Sequence, residues 1–350
     1  MSGAQPESDI KAEDIFEPVV LEKYDPTIIK YLLKLRAAGV PPVRDIRIED
    51  LRSNPAKFAP PWWKDPTGWE RVADGEVTVR DGAKIPVKIY HPDPNKFGKG
   101  PYGLHLNFHG GGFVLGDLGT ESQLCASMRD NAGVVVIDVN YRHCPEVVWG
   151  VGVDDAWRAV LWARESASSL NINPSSISIG GISAGAHISI ILQHVARDAN
   201  VPLKLCLATV PVSSDALLYK EYTESPFDSF HEFANGPILS WERMKFFGPL
   251  CFPEDRVEEI CAMWPEWWIA PIKSKNWAGL CDTFIRTAEC DPLRDEGEAY
   301  ALKLAQGGNK VTLKRYLKSP HTFMYFDWFE RKREYDLDSI TALKQAHGIP

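Results

Sequence analysis

The chain of 350 residues contains no run of 18 consecutive apolar residues, so no segment reads as a membrane-spanning helix. Its first residues, Met1 to Pro18, are acidic and polar and lack the apolar stretch of a secretory signal or a membrane anchor. No window concentrates positive charge. Lys and Arg number 39 against 47 Asp and Glu, a formal net charge of -8, which argues against nucleic acid as a partner. The seven cysteines, at 125, 144, 206, 251, 261, 281 and 290, are scattered, odd in number and never spaced Cys-x-x-Cys, which excludes a disulfide framework and a zinc knuckle. No pair of His, Cys or acidic residues sits at ligand spacing, so no metal is expected. There is no internal repeat or low-complexity tract, and the end of the chain, His347-Gly348-Ile349-Pro350, matches no retention or peroxisomal address. A reducing, cytoplasmic setting is the expectation. What the chain has in excess is aromatic residues: 12 Trp, 15 Phe and 11 Tyr, more than a core needs, pointing to an apolar binding surface.

The apolar pattern is that of an α/β protein. Glu76 to Arg80 and Lys84 to Tyr90 alternate and are joined through Asp81-Gly82, a hairpin signal. Short apolar runs at Leu104 to Phe108, Val134 to Val139, Ile177 to Gly181, Leu203 to Thr209, Thr283 to Ala288 and Val311 to Leu317 then alternate with helix-like stretches, the rhythm of a parallel sheet. Residues 1 to about 15 read as a disordered start. Ile28 to Ala38 reads as a helix among Pro-rich connections carrying Trp62, Trp63 and Trp69, and Asp327 to Ala346 reads as a final helix. The stretch from Val212 to about Ala278 is too long for a simple crossover and too aromatic for a solvated loop. It reads as an inserted cap completed by the N-terminal segment, the alternative being a subdomain with its own core. The expected division is 1–75 as the N-terminal cap segment, 76–211 as the first part of the core, 212–278 as the cap and 279–350 as the second part of the core.

Gly181-Ile182-Ser183-Ala184-Gly185 follows an apolar strand and precedes a helix with apolar spacing at Ile188, Ile191, Leu192 and Val195. A serine on so tight a strand-to-helix turn needs glycine neighbours, because a Cβ there would strike the adjacent elements, and its hydroxyl stands exposed at a helix N-terminus as a candidate nucleophile. His109-Gly110-Gly111-Gly112-Phe113 follows another strand. Consecutive glycines let backbone N–H groups turn toward one point, as an oxyanion hole requires, and Gly110, Gly111 and Ala184 are the expected donors. A phosphate-cradling or dinucleotide loop is disfavoured: no Lys-Ser or Lys-Thr follows, and the Gly-x-Gly-x-x-Gly spacing fails at Leu115.

A serine nucleophile needs a base and an acid on loops after later strands. His321 follows the run Val311 to Leu317, and Asp291 follows Thr283 to Ala288 with Pro292 directly after it. Asp295, one turn further on, is the rival acid. His187 is expected to be a packed or capping histidine and His109 to brace its loop. His347 lies near the end of the chain, and His91, His105, His143, His194 and His231 have no supporting context.

These motifs, with Tyr141-Arg142-His143-Cys144-Pro145-Glu146 and Asp291-Pro292-Leu293-Arg294-Asp295, resemble the hormone-sensitive-lipase branch of the α/β-hydrolases over residues 76 to 350. The resemblance implies an eight-stranded, mostly parallel sheet flanked by helices, a helical cap, and carboxylesterase chemistry without a cofactor. The family's nucleophile, acid and base fall on Ser183, Asp291 and His321. The chain departs from the usual pattern at Ile182 (Asp in most members), Ala186 (Gly), Phe113 (Trp) and Thr322 (Gly). Ile182 and the aromatic cap suggest a specialised apolar substrate, with Phe113, Ile182, Trp241, Phe247 and Trp268 as its expected contacts, and the flavour is that of fungal members acting on secondary metabolites. Three readings stay open: hydrolysis of a small-molecule ester with a short-to-medium or bulky apolar acyl group; lactone or thioester hydrolysis or transfer to another acceptor; and a ligand receptor that kept the fold without the chemistry, as the gibberellin receptors of this branch did by losing the histidine. Members of the branch often pair through a sheet edge, so a homodimer is one expectation.

Overall fold

The strands are β1 (Val72–Thr78), β2 (Lys84–Tyr90), β3 (Tyr102–Phe108), β4 (Val135–Val139), β5 (Ile172–Ile182), β6 (Leu205–Thr209), β7 (Asp282–Cys290) and β8 (Val311–Pro320). In this computed structural model, which describes residues 11–39, 46–53 and 60–350, they form one sheet in the order β1-β2-β4-β3-β5-β6-β7-β8. β1 and β2 pair antiparallel, as does β2 with β4; every other pairing is parallel. This is an α/β-hydrolase fold. The hairpin turns where Asp81-Gly82 predicts it, with Gly82 at φ +86 and the Asp81 carboxylate accepting the Ala83 N–H at 3.1 Å. Its first strand is longer at the start than the alternation suggests and ends at Thr78.

The central strands are apolar throughout because both faces are covered. Alternate residues go opposite ways. Val135, Ile137, Cys206 and Ala208 pack with the helices Val151–Glu165 and Ala184–Asp198, whereas Val136, Leu205 and Leu207 pack with Ser122–Ala132 and the last helix, Glu330–His347. No helix among the described residues is long and apolar enough to cross a membrane.

Two additions cover the carboxyl ends of the strands. Helices Pro18–Lys23 and Pro26–Ala37 sit on the loops after β7 and β8: the Tyr24 hydroxyl donates to the Cys290 carbonyl at 3.1 Å, and the Asp25 N–H donates to the Lys318 carbonyl at 3.1 Å. The expected disordered start is corrected in part, since Ala12–Asp14 form a helical turn; residues 1–10 lie outside the described residues. Between β6 and β7 lie the helices Asp228–Glu232, Trp241–Cys251, Val257–Met263 and Glu266–Ile269. Their apolar residues divide in two: Phe247, Cys251, Phe252, Ile260 and Ile269 join the principal apolar cluster, whereas Phe230, Leu239, Trp241 and Met244 form a smaller cluster with Val212, Ala216 and Leu293.

Candidate active site

β5 runs straight into Ser183, whose backbone is held at φ 57, ψ -116, a strained conformation for a residue with a Cβ. Two hydrogen bonds of 2.9 Å keep it there, from the Ser183 N–H to the Thr209 carbonyl and from the His187 N–H to the Ser183 carbonyl. The flanking glycines are compulsory. A Cβ on Gly185 would lie 1.7 Å from the Phe108 carbonyl oxygen, and one on Gly181 would lie 2.3 Å from the same atom.

His321 follows β8, whose end bends through the left-handed Lys318 (φ 57), and precedes the left-handed Thr322 (φ 58), which accounts for glycine being usual at the latter. Its Nε2 is 3.0 Å from the Ser183 hydroxyl, and its Nδ1 is 2.8 Å from Asp291 Oδ2. Asp291 is fully buried, and its second oxygen accepts the Leu293 N–H at 2.9 Å. The rival Asp295 is turned away from the histidine. It accepts the Ser229 N–H at 2.7 Å and pairs with Arg294 at 2.7 Å. Chain order and strand ends therefore select three residues that the fold brings into one relay.

Three other histidines are occupied elsewhere. His187 has its two ring nitrogens 2.8 Å from the Val212 and Trp268 carbonyls, and burial pushes it down to about 4. His109 stacks on Tyr141 with its Nδ1 2.9 Å from the Gly110 carbonyl, bracing the loop as expected. His347, near the end of the last helix, reaches Ser176 and Ser178 at 2.8 and 2.9 Å.

The glycine loop requires a correction. Gly110 was the expected first oxyanion donor, but its N–H already donates to Glu121 Oε1 at 2.8 Å, on the far side of the loop. The N–H groups of Gly111 and Gly112 have no protein acceptor among the described residues, and neither does that of Ala184, which opens its helix. The loop reaches this arrangement through Gly111 at φ +133 and Gly112 at φ +62; a Cβ on Gly112 would meet the Phe247 ring at 2.7 Å. The donor set left free is Gly111, Gly112 and Ala184.

Beside this loop is a cavity of about 10 Å³, lined by Phe113, Trp149, His187, Val212, Ser214, Asp215, Leu217, Phe252 and Ile269. Phe113 packs edge-on against Trp149 and His187, and Trp149 stacks on Phe252 at 5.3 Å. Of the five expected substrate contacts, only Phe113 lines it. Phe247 lies against Gly112. Of the others, the Ile182 side chain is buried among Leu124, Val210 and Phe323, and Trp241 and Trp268 pack on Phe230 and Trp264, neighbours within the segment between β6 and β7.

Sequence reasoning missed two buried carboxyls near the site. Glu296 accepts the Ser214 N–H and hydroxyl at 3.2 and 2.7 Å, and burial pushes it up to about 7. Glu121 is the second, and neither belongs to a spacing that could have flagged it. Among the described residues no group of His, Cys, Asp or Glu is placed to hold a metal.

Comparison with known proteins agrees with the fold. A family model described as alpha/beta hydrolase fold matches residues 105–325. The chain is 30% identical over 338 residues to an AB hydrolase superfamily protein of Schizosaccharomyces pombe, covering 93% of this chain and 95% of that one. It is 29% identical over 284 residues to an ethyl acetate hydrolase of Pseudomonas putida, covering 79% and 83%. Among solved structures, a hyperthermophilic esterase of Pyrobaculum calidifontis superposes with a TM-score of 0.79 at 27% identity, covering 92% of this chain and 98% of that chain.

Proposed function

Because this chain belongs to the hormone-sensitive-lipase type of α/β-hydrolases and is a carboxylic ester hydrolase, we propose that it works through Ser183, His321 and Asp291 on esters with a short acyl group. The observation that carries the reading is the relay of 3.0 and 2.8 Å between a strained, elbow-borne serine, a histidine and a buried aspartate. Ser183 Oγ attacks the acyl carbonyl while its proton passes to His321 Nε2. Asp291 accepts the His321 Nδ1–H, holding the ring in the tautomer that can take a proton and balancing the imidazolium that forms. The N–H groups of Gly111, Gly112 and Ala184 receive the negative charge on the former carbonyl oxygen. The alcohol leaves with the proton from His321, and water, deprotonated by the same ring, releases the acid from Ser183.

The cavity beside the oxyanion loop supports the short acyl group. Its lining is mostly apolar, with Phe113, Trp149, Val212, Leu217, Phe252 and Ile269, and Phe113 directly follows the oxyanion loop, which suits a small apolar acyl group. The relative named an ethyl acetate hydrolase points the same way. The segment 212–278 and the N-terminal helices serve, in this reading, as the cap over the alcohol side. Initial rates on p-nitrophenyl esters from acetate to dodecanoate, with wild type beside Ser183→Ala, test it. Turnover that peaks at two or three carbons and disappears in the variant is expected; a peak at eight carbons or longer overturns the acyl assignment.

A further inference from the structure

Glu121 sits just before the helix Ser122–Ala132, 1% exposed, directly behind the glycine loop. One of its oxygens does two things. Oε1 accepts the Gly110 N–H at 2.8 Å and the Tyr325 hydroxyl at 2.6 Å, while Oε2 accepts one hydrogen of the Asn107 amide at 2.9 Å. The other hydrogen of that amide goes to Asp138 Oδ1, also at 2.9 Å. Tyr325 is four residues past His321, on the turn Phe323–Tyr325, and Trp62 stacks on its ring at 5.3 Å. The carboxylate thus joins the oxyanion loop, the histidine loop and, through Tyr325, the N-terminal segment.

We propose that Glu121 is the positioning residue of the oxyanion hole: by turning the Gly110 N–H away from the substrate and anchoring it to Tyr325, it fixes the loop with Gly111 and Gly112 presenting theirs. Three consecutive glycines have no steric preference for which amide faces the acyl oxygen. A buried acceptor behind the loop supplies one. A carboxyl with no partners there would be costly to bury, and its three donors are what make the site tolerable. The tie to Tyr325 sets the distance between the oxyanion donors and His321, which must serve the same tetrahedral intermediate.

This inference rests on the serine-esterase reading above, and wild-type turnover of p-nitrophenyl acetate is the control that separates the two: no turnover by wild type overturns that reading and this one with it, whereas variants equal to an active wild type overturn only this one. The experiment compares Glu121→Ala, Glu121→Gln and Tyr325→Phe for kcat, KM and the inhibition constant of a trifluoromethyl ketone, whose adduct with Ser183 carries an oxyanion. Glu121→Ala is expected to lower kcat on the order of 10- to 100-fold with KM little changed, and to weaken the ketone by the same factor. Glu121→Gln keeps an oxygen for Gly110 and restores most of both. Tyr325→Phe removes one hydroxyl without leaving a void, and it carries the test if Glu121→Ala does not fold: kcat and ketone affinity should fall together by several-fold. Unchanged kcat and ketone affinity in a folded variant, or a loss of kcat that leaves ketone affinity intact, overturns the proposal.

Discussion

The Ser183 hydroxyl and His321 Nε2 lie 3.0 Å apart across 138 residues of chain, and the distance is set by two separate strands ending on the same side of one sheet. Ser183 directly follows β5 and His321 follows β8, with β6 and β7 between them. Ser183→Ala is therefore expected to remove on the order of 10⁴- to 10⁶-fold of kcat on p-nitrophenyl acetate without loss of fold. Circular dichroism and steady-state rates on the same preparation check it.

Asp291 and Asp295 are four residues apart with different partners, so their amides should behave differently. Asp291→Asn leaves the His321 ring without its acceptor and is expected to lower kcat by about 10⁴-fold. Asp295→Asn disturbs only the contacts to Ser229 and Arg294, and activity should stay within about threefold of wild type. Equal losses in the two variants would contradict the assignment.

The elbow leaves no room at Gly185. Gly185→Ala would place a Cβ 1.7 Å from the Phe108 carbonyl oxygen, which cannot move without breaking the pairing of β3 with β5. The expected result is a protein that unfolds many degrees lower or fails to accumulate, read by thermal melting. A Gly308→Ala control, at a surface turn where no atom lies within 4 Å, should lose far less.

Buried histidines make stability depend on pH. Burial holds His187, His194 and His347 down at about 4 and His105 at about 3, below the ordinary value of 6.5. Between roughly pH 4 and 6.5 the unfolded chain binds protons that the folded one refuses, so stability is full above that window and falls as pH drops through it. Glu296, raised to about 7, and Glu121, Asp138 and Asp336, also pushed up by burial, act in the opposite sense and favour the folded state at lower pH, so a variant of a single histidine is what isolates the histidine contribution. Replacing His347 by Asn should reduce the loss between pH 7 and pH 5 by about 1–2 kcal/mol. Urea midpoints at the two pH values, wild type against variant, measure it.

Phe252 stacks on Trp149 at the end of the small cavity. Phe252→Leu should lengthen the preferred acyl chain by one or two carbons at a cost of roughly 1–2 kcal/mol in stability. Chain-length profiles and a denaturant melt of the variant check both parts.

The strand runs, the hairpin at Asp81-Gly82 and the elbow at Ser183 were legible in the sequence because each depends on neighbours within a few residues: alternation on a pleated sheet, positive φ at Gly82, and the absence of a Cβ at Gly181 and Gly185. Chain order carried the identification of His321 and Asp291, since a parallel sheet places the ends of successive strands on one side. Only the tertiary structure decided which amides of the glycine loop are left without an acceptor. Gly110, Gly111 and Gly112 are equivalent as sequence, and the difference among them is made by the Glu121 carboxylate behind the loop, itself held by Tyr325 from more than 200 residues away. The aromatic excess was visible too, but where each ring ended up was not: Trp241 and Trp268 pack on Phe230 and Trp264 within the segment between β6 and β7, and Trp149 lines the cavity. Apolar burial has no direction of its own, so the folded surroundings alone assign each ring its place.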